Sequence, residues 1–136
     1  ITGGKILAAD ARMKRWFTPE QIKLMREAVE DHRASASHQP RNIYGKIVAE
    51  ADRDLDEEEV FRRAVEFGIE QYPEKTAEEQ WQRFRSHMNE KYAENGYIRL
   101  WLPNSPNEKK LRQLRQTIAD EKKLRTAFNR LYSRQT

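Results

Sequence analysis

Apolar residues in this chain recur at helical spacing, and alternation appears only briefly. Residues 1–17 read as a helix after a loose start, with Ile6, Leu7, Ala9 and Met13 on one face and Trp16-Phe17 at its end. Thr18-Pro19-Glu20-Gln21 is a helix start: Thr18 caps, Pro19 takes the first turn, and Gln21 can close a capping box. That helix runs to about Arg33, where the polar stretch Ala34–Gln39 and then Pro40 stop it. Asn42 caps the next helix, which runs to about Arg53. Asp56 caps another, with Glu57, Glu58 and Glu59 in its first turn and Tyr72-Pro73 at its end. Thr76 and Glu79 open a fifth helix, on which Trp81, Phe84, Met88 and Tyr92 form one stripe. His87 lies off that stripe and is expected to face solvent. Asn95-Gly96 ends the helix. Tyr97–Leu102 has no partner strand and reads as a connector burying Trp101. The last helical region starts at Ser105-Pro106 and carries Leu111, Leu114, Ile118, Leu124, Phe128 and Leu131. Its pattern lapses at Asp120-Glu121, where a second helix capped by Asp120 can begin.

The fold class that follows is all-α, a bundle of about six helices in a single domain over residues 1–136. Its expected core lies near Ile22, Met25, Val29, Ile47, Val48, Phe61, Val65, Trp81, Phe84 and Met88.

Two ionisable residues fall where apolar side chains are expected. His32 extends the spacing of Ile22, Met25 and Val29, and Asp52 lies at the edge of the stripe Ile47, Val48, Ala51 and Leu55. An acid and an imidazole turned inward are costly unless paired or metal-bound, so the spacing nominates both as a site. The bland alternative for Asp52 is a salt bridge with Arg53 or Lys46. The loop between these helices holds Ser35, Ser37, His38 and Arg41, and with Arg33 it can meet a phosphate or simply be solvated. Gly3-Gly4-Lys5 lacks the rest of a phosphate-loop motif and reads as a flexible helix start.

The residues Ala28, Val29, His32, Pro40, Lys46, Ile47, Val48, Ala51, Asp52, Arg53, Leu55 and Asp56 resemble the second half of an HD-domain metal-dependent phosphohydrolase. The resemblance covers most of residues 1–72 and implies an HD-domain-like bundle there, with 73–136 as a C-terminal helical extension. It implies that Asp52 ligates a divalent metal cation and that His32 is a catalytic, substrate-side group. Arg33, His38, Arg41 and Lys46 would then bind the substrate, a phosphorylated small molecule or nucleotide. The His-Asp doublet that names the family is not among these residues. The remaining ligands are therefore expected upstream of Ile1, and the segment alone is expected to be inactive. Stripped of the helices that would cover its apolar faces, it is expected to form a homodimer or to hold an N-terminal fragment.

Composition narrows the alternatives. The chain has no cysteine, which excludes thiol catalysis and Cys-ligated zinc and fits a reducing, cytoplasmic setting. No apolar run approaches the ~20 residues a membrane span needs, so no membrane partner is expected. The net charge is +4, from 26 basic and 22 acidic residues. The densest basic run is at 109–134, with Lys109, Lys110, Arg112, Arg115, Lys122, Lys123, Arg125, Arg130 and Arg134. A non-catalytic binding module using that face, for nucleic acid or a protein, is the alternative function. Such runs are usually solvated helix faces, so nucleic acid is not the expected partner. A domain that has lost catalysis is a third reading.

Overall fold

The computed structural model describes residues 2–36 and 38–136, and among these helices are the only regular secondary structure. Its helices are α1 (Thr2–Ala9), α2 (Met13–Trp16), α3 (Pro19–Asp31), α4 (Ile43–Asp52), α5 (Glu57–Gln71), α6 (Ala77–Lys91), α7 (Pro106–Ala119) and α8 (Glu121–Gln135). The expected six become eight because both terminal regions break. The Asp10 carboxylate accepts the Arg12 backbone N–H at 2.9 Å and so ends α1. Asp120 accepts the Lys123 N–H at 3.2 Å and starts α8, where the apolar pattern lapses.

Caps set the other starts. Thr18 and Gln21 form a reciprocal capping box, as do Thr76 and Glu79. Asn42 accepts from the Gly45 N–H and Asp56 from the Glu59 N–H. Residues 97–102 form no strand, and Trp101 is half-buried there.

Two compact units emerge, Ile1–Arg53 with Arg99–Ser105, and Asp54–Ile98 with Pro106–Thr136. The first boundary between them in the chain falls between Arg53 and Asp54.

The second unit packs α5, α6, α7 and α8 around Phe61, Phe84 and Phe128, each at most 2% exposed. Phe84 lies 5.6 Å from Phe61 and 5.3 Å from Phe128, ring centre to ring centre, and Trp81 completes the cluster. Such contacts add about 1 kcal/mol each beyond burial. Gln80, buried between α5 and α6, donates to the Gly68 and Tyr72 carbonyls at 3.0 and 2.8 Å. Each carbonyl also accepts a backbone N–H, Gly68 from Tyr72 and Tyr72 from Lys75, so Gln80 adds a second donor at the end of α5 and ties α6 to it. His87 is half-buried instead of solvent-facing.

The first unit is built on small residues. Gly4 of α1 sits against α3, where an added Cβ would lie 2.7 Å from Glu30 Cγ and 3.2 Å from the Arg26 carbonyl oxygen. On α4 the buried residues are Gly45 and Ala49, and a Cβ at Gly45 would come within 3.5 Å of Ala28 Cα. Close approach of two helices needs small side chains, so α4 turns its Gly–Ala side inward. The expected core positions Ile47 and Val48 are consequently 49% and 39% exposed, beside Ile43 and Tyr44. Met25 and Val29 are half-buried, while Ile22 is buried as expected.

Candidate functional site

The order of contacts fixes the geometry of α3 and α4. Asn42 donates to the Leu24 carbonyl, Gly45 meets Ala28, and Arg53 reaches His32. The two helices therefore run in roughly the same direction and end together. At that shared end the buried ionisable residues are Asp31, 2% exposed, and Arg53, 7% exposed. This corrects the expectation for His32 and Asp52. His32 is half-buried and Asp52 is exposed. Each inward position belongs to the neighbouring residue, because the Gly45–Ala49 contact rotates the buried faces by about one residue.

Arg53 Nη1 donates to the His32 carbonyl at 2.9 Å and to the Ala49 carbonyl at 3.1 Å. It thus ties the end of α4 to the end of α3. The salt bridge between Asp52 and Arg53 or Lys46 does not form; the Asp52 side chain has no ion pair or hydrogen bond among the described residues. The His32 ring donates from Nδ1 to the Val29 carbonyl at 2.6 Å. A carbonyl can only accept, so Nδ1 carries hydrogen, and in the neutral ring the lone pair is on Nε2.

Arg33, His38 and Arg41 come together elsewhere. They line a cleft of about 730 Å³ with Lys5, Arg26, Glu30, Asp31, Ser35, Ala36 and Gln39. His32, Lys46 and Asp52 do not line it. The expected site residues therefore do not share one place: Arg33, His38 and Arg41 line the basic cleft, while His32 and Asp52 stand at the ends of α3 and α4, outside its lining. Ser37 lies outside the described residues.

The frame of the cleft is an ion network. Arg41 donates to Asp31 through its backbone N–H at 2.9 Å, Nε at 2.8 Å and Nη2 at 2.9 Å. Arg41 Nη2 also reaches Glu30 at 2.8 Å, and Arg26 Nε bonds the other Glu30 oxygen at 2.7 Å. Burial pushes the Asp31 carboxyl up, but the Arg41 side chain and backbone outweigh it, with a smaller pull from His38, and hold it below the usual range. Asp31 and then Glu30 raise the Arg41 guanidinium above its ordinary value. Arg26, followed by Arg41, keeps Glu30 low.

Lys5, Arg26, Glu30 and Asp31 were not among the expected site residues. The signal available for Lys5 was the pair Gly3-Gly4, which permits the close approach of α1 to α3 beside this cleft.

The basic face at 109–134 is largely committed to structure. Arg125 pairs with Glu78, Arg130 and Arg134 with Glu58, and Lys123 with Asp120. Arg115 donates to the Tyr92 carbonyl. Lys109, Lys110, Arg112 and Lys122 remain exposed.

As metal donors, the Asp52 carboxylate and His32 Nε2 are of the right chemical type. Among the described residues, no group of three or more His, Cys, Asp or Glu could hold an ion. No described helix is long and apolar enough to cross a membrane. Comparison with protein-family models, curated proteins and solved structures finds no match to this chain.

Proposed function

We propose that this chain forms part of an HD-type metal-dependent phosphohydrolase acting on a phosphate ester or nucleotide. The observation that carries the reading is the chemistry left uncommitted at the ends of α3 and α4. Asp52 offers a carboxylate spent on no internal contact, next to Arg53, which is bonded to His32. The Val29 carbonyl holds the His32 ring with Nε2 as the acceptor. Imidazoles that face metals commonly have their other nitrogen bound in this way.

In this reading Asp52 is one ligand and His32 orients a substrate oxygen or a water. A bound divalent cation would supply a water of lowered pKa and polarise the phosphoryl oxygen. Three protein ligands are typical of the best-studied catalytic sites, so further donors must come from outside residues 1–136. Additional helices would also cover Ile43, Tyr44, Ile47 and Val48, whose exposure fits that arrangement. Lys46 would meet the substrate's negative charge.

The test uses the full-length protein. Asp52→Ala should lower bound metal, measured by elemental analysis, and abolish cation-dependent hydrolysis of a phosphate monoester, while far-UV circular dichroism stays unchanged. Wild-type metal content and turnover in the variant would refute the ligand role.

A further inference from the structure

We propose that the cleft between α1, α3 and the 33–41 loop is a phosphate-binding site in its own right. Lys5 and Arg33 are its direct contacts, and the bound group is a phosphate monoester. The inference does not depend on metal at Asp52, which lies outside the cleft.

Charge is the first argument. Four cations line the cleft, Lys5, Arg26, Arg33 and Arg41, against two carboxylates, Glu30 and Asp31. The carboxylates are spent on Arg26 and Arg41 at 2.7–2.9 Å. Lys5 and Arg33 are exposed and have no carboxylate partner among the described residues. Two uncompensated positive charges on one concave surface raise the local concentration of an anion.

Rigidity is the second argument. Arg41 is pinned to Asp31 by three hydrogen bonds, which fixes the far end of the loop. The absence of a Cβ at Gly4 seats α1 directly on α3 and so fixes the helix that carries Lys5. A frame ordered before binding spares the ligand that entropic cost. Arg26 and Arg41 are thus positioning residues, and Lys5 and Arg33 are left to donate. His38 holds its Nδ1 against the Gln39 carbonyl at 3.0 Å and turns Nε2 toward Asp31, 3.9 Å away.

Size is the third argument. About 730 Å³ is more than a phosphate ion fills and suits a small phosphorylated molecule. Ser35 and Gln39 on the rim can bond sugar hydroxyls.

The experiment is calorimetric titration of the chain, in EDTA, with inorganic phosphate, ribose 5-phosphate and ribose. EDTA separates this site from the metal reading, which can fail without affecting the result. Saturable binding of ribose 5-phosphate, with none of ribose, is expected. Equal affinity for inorganic phosphate would still support a phosphate site, with the sugar adding nothing. Lys5→Gln and Arg33→Gln should each weaken binding about tenfold, ~1.4 kcal/mol. Lys122→Gln, on α8 and not among the residues that line the cleft, should leave it unchanged. Both cleft side chains are exposed, so neither variant threatens folding, and circular dichroism confirms that. No saturable binding, or equal weakening by Lys122→Gln, would overturn the proposal.

Discussion

Replacing Arg41 with Met should destabilise the first unit more than replacing Asp31 with Asn, and the difference follows from burial. The Asp31 side chain is 1% exposed and that of Arg41 46% exposed. Arg41→Met leaves a buried carboxylate with only the residue-41 N–H and distant His38. Breaking a buried pair in this way costs about 3–5 kcal/mol, reduced to ~2–3 here because the pair opens to water on one side. Asp31→Asn keeps an acceptor and leaves Arg41 bonded to Glu30 and water, for a loss of about 1 kcal/mol.

Amide hydrogen exchange across α3 and α4 reads this unit without requiring the whole chain to unfold in two states. Exchange should rise roughly 30- to 140-fold in Arg41→Met and about fivefold in Asp31→Asn, at tenfold per 1.4 kcal/mol. The pH dependence gives a second check. In the wild type the folded Asp31 pKa lies below 3.8, so its contribution is present above pH 3.8 and is lost as pH falls through the folded value. In Arg41→Met, burial is left to push the carboxyl above 3.8. Its contribution then survives below that pH and is lost as pH rises. The penalty of Arg41→Met should therefore shrink between pH 6 and pH 3. Equal penalties for the two variants, or a penalty independent of pH, would refute the account.

Three further outcomes are expected. Gly4→Ala should cost about 1–2 kcal/mol by urea denaturation, despite better helix propensity, because its Cβ meets Glu30 and the Arg26 carbonyl; a stabilised variant would mean that α1 does not sit on α3. Ala49→Leu should cost about 2 kcal/mol or more while Ile47→Gln changes stability by ~0.5 at most, since Ala49 is 1% and Ile47 49% exposed; the reverse order would restore the hydrophobic-stripe reading of α4. Burial, then Lys91 and Arg83, holds the His87 imidazole below 6.5, so stability should rise with pH up to about 6.5, and His87→Gln should flatten that rise. An NMR titration midpoint for His87 at or above 6.5 would contradict this.

The parts of the fold legible in the sequence are those encoded locally or repeated over several turns. Thr18, Asn42, Asp56, Thr76 and Asp120 each cap a helix with a side chain whose partner lies three residues on. Trp81, Phe84 and Met88 hold one face of a 15-residue helix, and all three are buried. On α4 the same reasoning points the wrong way. Ile43, Ile47 and Val48 carry the hydrophobicity, yet Gly45 and Ala49 carry the contact. Hydrophobic periodicity reports which face prefers to leave water. It does not report how close the neighbouring backbone comes, and at a close crossing that distance selects the smallest residues.

The one-residue error at the candidate site has a more specific cause. Near the shared end of α3 and α4, the carbonyls of His32 and Ala49 need donors. An arginine reaches both with its guanidinium while burying an apolar stem. A carboxylate has only acceptors to offer there and would add to the deficit. The inward position therefore falls to Arg53, and Asp52 is turned out. The complementary rule operates ten residues upstream of Arg41, where the backbone N–H and guanidinium of Arg41 need an acceptor and Asp31, not His32, is drawn in. Donor and acceptor demand at helix ends, more than hydrophobic period, decides which of two adjacent polar residues is buried. The same demand leaves Asp52 with its acceptors unspent, the property a ligand for a cation requires.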